Sequence, residues 1–382
     1  WGSWDGLLHA TSATFGNDVW TTNLGQQNVP GCVPQTVGIG GTATYGQIGA
    51  TPALFVGGGN NTMYALNATT GQILWATTLE ASTDFFIWDS PVVVNGSVYI
   101  GVSSFGDCPN SVNSVFRLNA ATGAIENILT LAPANCPGDG VWGSPTYDVA
   151  TGVLYFATGN GCPTDPNASA IVAISSGDLS LVDRWDVPAS QLGGDTDFGN
   201  TTTLFTATIN GAQRQMIGVA SKNGLYYALD RTNLSAGPVW EDQIAVGGDC
   251  PDCGNGSISP SSFDGATLYI AGGNTTIGGT ACKSSVRAVN PATGAYLWEH
   301  CITTGPTLGA VTTAPGLVAV SSQTAVYLLS ATTGATLFSF RDTSSGSYFF
   351  SAPTIANGSL YAPNDNGSFY AFGTLLIRQP GQ

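Results

Sequence analysis

A twelve-residue stretch, Tyr64–Trp75 (YALNATTGQILW), recurs along the chain and restricts its fold more than any other feature. Close copies run over Phe116–Glu126, Arg287–Trp298 and Tyr327–Phe338, and stretched copies over Val172–Trp185 and Tyr227–Trp240. Each copy reads as a strand of alternating apolar residues, a tight turn whose Gly can take positive φ, and a second strand ending in a large aromatic. A unit of this kind cannot bury its apolar face alone, so neighbouring units must stack.

The first forty residues contain one clear repeat-like strand, Val19–Leu24, and the chain ends on Ser359–Ala362 and Ser368–Phe372. If the N-terminal strand completes the last sheet, the array closes and no terminal edge stays exposed. The expected fold is all-β: a single β-propeller of four-stranded antiparallel blades, closed by N- and C-terminal strands. The units fall near 40–79, 86–131, 138–187, 198–245, 256–302 and 308–341, with the seventh made from 346–373 plus 14–25. Seven blades is the count preferred here, and eight is the alternative. Helical periodicity is almost absent, and Gly (51) and Pro (20) punctuate the whole chain.

Charge is sparse, at 9% of residues, and acidic, with a formal net charge of −15. That excludes the basic footprint of a nucleic-acid protein and disfavours anionic membranes. With 43% apolar residues the chain has material for a large core. No apolar run reaches the length of a membrane span and no signal-peptide pattern opens the chain, so a mature or trimmed product is expected. Eight cysteines, an even number, and ten Asn-x-Ser/Thr sequons fit an oxidising, secreted, extracellular or periplasmic setting. Cys250 and Cys253 suit a loop disulfide and Cys282 and Cys301 flank a hairpin. Cys108 and Cys136 bracket another hairpin, and the connectivity stays open. Two histidines make a Ser–His–Asp triad or a multi-His metal site improbable.

The repeat resembles the Ala-x-x-x-Thr-Gly-x-x-x-Trp docking motif of the quinoprotein alcohol dehydrogenase superfamily, a motif shared with non-enzymatic outer-membrane assembly propellers. More specific is Val141–Asn160 (VWGSPTYDVATGVLYFATGN), which is similar to the segment where a Trp floors the pyrroloquinoline quinone and an Asn ligates calcium. The resemblance assigns those roles to Trp142 and Asn160. Ala220–Arg231 (ASKNGLYYALDR) resembles the stretch that places a cation on the quinone oxygens, here Lys222, and Asp195–Gly199 falls where the family keeps its catalytic aspartate. Both Asp195 and Asp197 are candidates. Val98–Asp107 resembles the segment supplying a calcium-ligating Glu, but the matching position is Gly106; Asp107 beside it is the substitute ligand, and Ser103 joins the cofactor-binding set.

Those residue types suit the chemistry: a flat aromatic stacks on a planar quinone, a hard cation takes oxygen ligands, and a carboxylate accepts the alcohol proton. The resemblance therefore implies an enzyme passing hydride from a small-molecule or polymeric alcohol to the quinone, with electrons leaving to an external acceptor. Each residue also has a plainer role. Trp142 could pack a blade, Asn160 could sit in a turn, and Lys222 could belong to a shared hairpin. The alternative function is a non-catalytic extracellular propeller used for adhesion or self-assembly, with homo-oligomers as its partners.

Overall fold

The computed structural model describes residues 1–106, 108–133, 135–162, 164–344 and 346–373. Among them the chain forms antiparallel sheets and three short 3-10 turns, Ala189–Gln191, Leu234–Ala236 and Pro251–Cys253, with no α-helix. It divides into two compact units, Trp1–Leu204 with Leu229–Val239, and Phe205–Ala228 with Trp240–Gln382.

The first unit contains the sheet Thr44–Ile48, Thr51–Gly57, Thr62–Asn67 and Ile73–Thr78, its strands hydrogen-bonded in chain order. The sheet Val92–Val94, Ser97–Ser104, Ser114–Asn119 and Ile125–Thr130 follows, with Phe85–Phe86 pairing onto its second strand. A third comprises Thr146–Asp148, Val153–Ala157, Ala170–Ser175 and Leu181–Asp186. The next repeat gives Thr203–Ile209, Ala212–Ala220, Leu225–Asp230 and Pro238–Gln243, again in sheet order. In the second unit, Ser262–Phe263, Leu268–Gly272, Ser284–Val289 and Tyr296–Ile302 form a sheet interrupted by the small hairpin Thr275–Ile277 and Thr280–Cys282. Thr312–Ala314, Leu317–Ser322, Ala325–Ser330 and Thr336–Arg341 follow, then the three-stranded sheet Thr354–Ala356, Ser359–Pro363 and Phe369–Gly373.

The N-terminal strand read from the sequence is Asp18–Asn23; among the described residues it pairs antiparallel with Leu7–Thr11 in a two-stranded sheet, and the last sheet, expected to take it as a fourth strand, holds three. The turn Asn364–Gly367 is a hairpin turn, its Asn364 N–H bonding to Ser368 O at 2.9 Å.

The cores lie between successive sheets. Phe55, Met63, Ile87, Val98, Ile100 and Phe116 fill one interface in the first unit, and Leu154, Phe156, Val172 and Ile174 meet Tyr99 and Val115 in the next. The inner strands are buried on both faces, which explains their near-continuous apolar runs, whereas the outermost strands Ile73–Thr78 and Ile125–Thr130 alternate between exposed and half-buried residues after their first position.

The repeat is the device that docks one sheet on the next. Trp20 donates its indole N–H to Ala68 O (3.2 Å), Trp75 to Ala120 O (2.9 Å), Trp240 to Pro291 O (3.0 Å) and Trp298 to Ala331 O (2.8 Å). The turn glycine lies flat against the ring of the docking Trp. A Cβ on Gly123 would fall 2.6 Å from Trp75, and one on Gly334 would fall 2.5 Å from Trp298. These glycines also have φ between +69° and +74°, so geometry and contact both require Gly. Asn67 and Asn119 close their turns by accepting backbone N–H groups on Oδ1.

Four disulfides join Cys32–Cys108, Cys136–Cys162, Cys250–Cys253 and Cys282–Cys301. Cys108 and Cys136, which bracket one hairpin in sequence, thus pair with different partners, because Cys32 and Cys162 come from loops that the sheets bring alongside. Among the described residues no helix is long and apolar enough to cross a membrane.

Candidate functional site

The segment Gly140–Gly143 enters the third sheet of the first unit and carries Trp142. Val141 is fully buried, which turns the neighbouring indole the other way, and Trp142 is half-buried. The chain Gly199–Asn200 lies directly against it. A Cβ on Gly199 would fall 2.0 Å from Trp142 Cη2, and one on Gly143 would fall 2.5 Å from Asn200 O. Ser103 is buried beside this segment; a Cβ on Gly140 would lie 3.3 Å from Ser103 Cβ.

Asn160 follows the strand Val153–Ala157 and gathers both candidate aspartates. Its backbone N–H donates to Asp197 Oδ2 at 3.0 Å and its Nδ2 donates to Asp195 Oδ1 at 2.8 Å. Its carbonyl accepts the Asp139 N–H at 2.9 Å. Asp197 is 3% exposed and Asp195 is half-buried. The Gly159 N–H donates to Gly140 O at 2.8 Å, tying the Asn160 turn to the Trp142 segment. Five of the residues singled out from the sequence, Ser103, Trp142, Asn160, Asp195 and Asp197, therefore lie on segments that contact one another directly.

Lys222 belongs to the second unit, where it is 7% exposed. Its carbonyl accepts the Gly248 N–H at 2.9 Å, and a Cβ on Gly256 would fall 2.2 Å from that oxygen. The hairpin after it is closed by Asn223, whose Nδ2 donates to Tyr227 Oη at 2.6 Å. The same Asn–Tyr link occurs in the first repeat, from Asn60 Nδ2 to Tyr64 Oη at 2.9 Å. The Asn–x–x–x–Tyr portion is thus shared architecture, and Lys222 is what this repeat adds. Asp107 lies outside the described residues. Gly106 has φ +61° and no side chain, so it offers no ligand where the family resemblance expects a Glu.

Asp195, Asp197 and Asn160 gather carboxylates and an amide whose Nδ2 faces Asp195, and Trp142 presents a half-exposed aromatic ring; these are the types of group that a hard cation and a planar quinone take. Cys250, Asp252 and Cys253 also cluster, but both thiols are consumed in a disulfide and cannot ligate a metal. An open cavity of about 520 Å³ in the second unit is lined by Gln243, Val246, Asn274, Thr276, Cys282 and Lys283 and holds none of the candidate cofactor, metal or catalytic residues.

Two associations were not legible in the sequence. One is the approach of Gly199 to Trp142. The other is a contact between the carboxyl groups of Asp139 and Asp165, next to the Cys136–Cys162 disulfide. Neither has a spacing signature, because each joins segments far apart in the chain.

A family model described as outer membrane protein assembly factor BamB matches residues 5–271 and 282–375. Among individual proteins, the chain is 27% identical over 226 residues to quinohemoprotein alcohol dehydrogenase ADH IIB of Pseudomonas putida, covering 47% of this chain and 31% of that one. It is 26% identical over 371 residues to outer membrane protein assembly factor BamB of Yersinia pestis, covering 96% and 80%. The solved quinohemoprotein alcohol dehydrogenase ADHIIG of Pseudomonas putida HK5 superposes with a TM-score of 0.69 at 19% identity, over 94% of this chain and 66% of that one. The chain thus spans about a third of the length of the curated dehydrogenase it matches. Four disulfides suit an extracytoplasmic location. From the docked repeats, the sheet architecture and these matches, the chain belongs to the PQQ-like β-propeller family, whose fold quinoprotein alcohol dehydrogenases and BamB share.

Proposed function

We propose that the protein is an extracytoplasmic quinoprotein-type dehydrogenase that oxidises an alcohol with pyrroloquinoline quinone and calcium. The observation that carries this reading is Asn160, which holds Asp195 on its side chain and Asp197 on its backbone N–H. A quinone bound against Trp142 would supply the hydride acceptor. Asp195, half-buried, is the proton acceptor for a substrate hydroxyl, while buried Asp197 fixes the backbone of Asn160. Asn160 would offer its amide oxygen to calcium, and the Ser103 hydroxyl lies beside the Trp142 segment.

The test is reconstitution of the purified protein with quinone and calcium, followed by dye-linked oxidation of a panel of small and polymeric alcohols. Expected are quenching of Trp fluorescence on quinone addition and alcohol-dependent dye reduction. Asp195→Asn should lower kcat by at least about 100-fold, the scale of a lost general base. No binding at micromolar quinone would overturn the reading.

The second reading, a non-catalytic propeller acting through its surfaces, is favoured by Gly106 at the expected Glu position and by the family match along nearly the whole chain. It predicts self-association, and a strictly monomeric particle in light scattering would count against it.

A further inference from the structure

The disulfide Cys136–Cys162 clamps two loops, and each carries a buried aspartate that the proposed function does not use. Asp139 is 0% exposed and Asp165 is 8% exposed. Their carboxyl groups are in contact. Asp165 Oδ1 accepts the Asn167 N–H at 2.9 Å. The other three oxygens, Asp139 Oδ1, Asp139 Oδ2 and Asp165 Oδ2, meet no hydrogen-bond donor among the described residues. The Asp139 oxygen Oδ1 rests on Gly161, where a Cβ would fall 2.3 Å away, so a glycine is required for the carboxylate to occupy this position.

Two touching carboxylates removed from water must be neutralised. Among the described residues, the charged group that acts on Asp139 is Asp165. A single shared proton would bridge one oxygen of each residue and leave the third orphan oxygen unsatisfied. A hard cation prefers carboxylate oxygens and takes several of them at once. We propose that Asp139 and Asp165 form a binding site for a divalent cation of the calcium class, separate from the Asn160–Asp195–Asp197 group, that pins the two disulfide-linked loops together.

The test uses the full chain without quinone. Protein stripped with EDTA is titrated with calcium chloride, read by calorimetry and by thermal unfolding. Expected is saturable binding at about 0.1–1 mM, the range of extracellular calcium modules, with a rise in Tm. Asp139→Asn and Asp165→Asn should each weaken binding by at least about tenfold and remove the rise in Tm, whereas Asp252→Asn, in the exposed Cys250–Cys253 loop, should retain both. Because Asn removes like-charge repulsion without changing volume, Asp139→Asn should unfold in EDTA at or above the wild-type temperature, which shows that the variant folds. The proposal is overturned if calcium leaves the wild-type Tm unchanged, or if the Asp139→Asn and Asp165→Asn variants respond to calcium as the wild type does.

Discussion

Gly199 shows how one missing methyl shapes the candidate site. With a Cβ placed 2.0 Å from Trp142 Cη2, Gly199→Ala must displace either the indole or the Asp197–Gly199 segment, and overpacking of this kind costs about 1–3 kcal/mol. The expected result is a shifted Trp emission spectrum with weakened quinone quenching; an unchanged spectrum would mean that the ring is free to move away. Asp89 offers a second test. It is 2% exposed, its Oδ2 accepts the Gly101 N–H at 3.0 Å, and its Oδ1 has no partner among the described residues. Burial raises its pKa well above the ordinary carboxyl value, and the hydrogen bond from Gly101 only partly opposes this. A raised folded-state pKa means that the stabilisation is complete below about pH 4 and is lost as pH climbs through the folded value. Asp89→Asn keeps an acceptor for Gly101 and removes the titration. It should flatten the fall of Tm as pH rises above the ordinary carboxyl range of about 4, and an unaltered slope would assign that fall to other groups.

The docking hairpin was legible in the sequence because everything it needs is local: a turn Gly, an Asx residue before it, and a Trp at fixed spacing. Even the strand around Trp20 was readable, since Trp20 uses the same indole bond and Thr22 Oγ donates to Gly71 O at 2.7 Å. Leu7–Thr11 was not, because its burial is shallow and it carries no repeat residue. The site was half legible. Trp142, Asn160 and the two aspartates stood out by resemblance. The choice between Asp195 and Asp197, the Gly199 contact and the Asp139–Asp165 pair depend on where loops meet, which no spacing encodes. The docking contact itself can be isolated by two glycine substitutions. Gly96 has φ +78° and nothing within 4 Å of a Cβ, whereas Gly123 has φ +73° and a ring at 2.6 Å. Gly96→Ala should cost only left-handed strain, about 1 kcal/mol. Gly123→Ala should cost about 1–3 kcal/mol more, from overpacking against Trp75. Equal losses in urea denaturation would show that Trp75 yields without penalty.

Across the chain, stabilisation is spread over repeated sheet interfaces, so no single core decides whether the protein folds, and the cross-links differ mainly in how much chain they enclose. Cys32–Cys108 closes a separation of 76 residues, Cys136–Cys162 one of 26, Cys282–Cys301 one of 19 and Cys250–Cys253 one of 3. If cross-links act by restricting the unfolded chain, the first should contribute roughly 4–5 kcal/mol and the next two roughly 3–4 kcal/mol each. The Cys250–Cys253 bridge encloses too little chain for that mechanism to give it comparable weight. Paired Cys→Ser variants, Cys32 with Cys108 and Cys250 with Cys253, separate the cases under oxidising conditions. The first pair should show the largest drop in Tm and the second almost none, read by thermal unfolding of each variant beside the parent. An equal drop for both would mean that local native-state contacts around the cystines outweigh loop closure. The Cys250–Cys253 loop would then be a structural fastener in its own right.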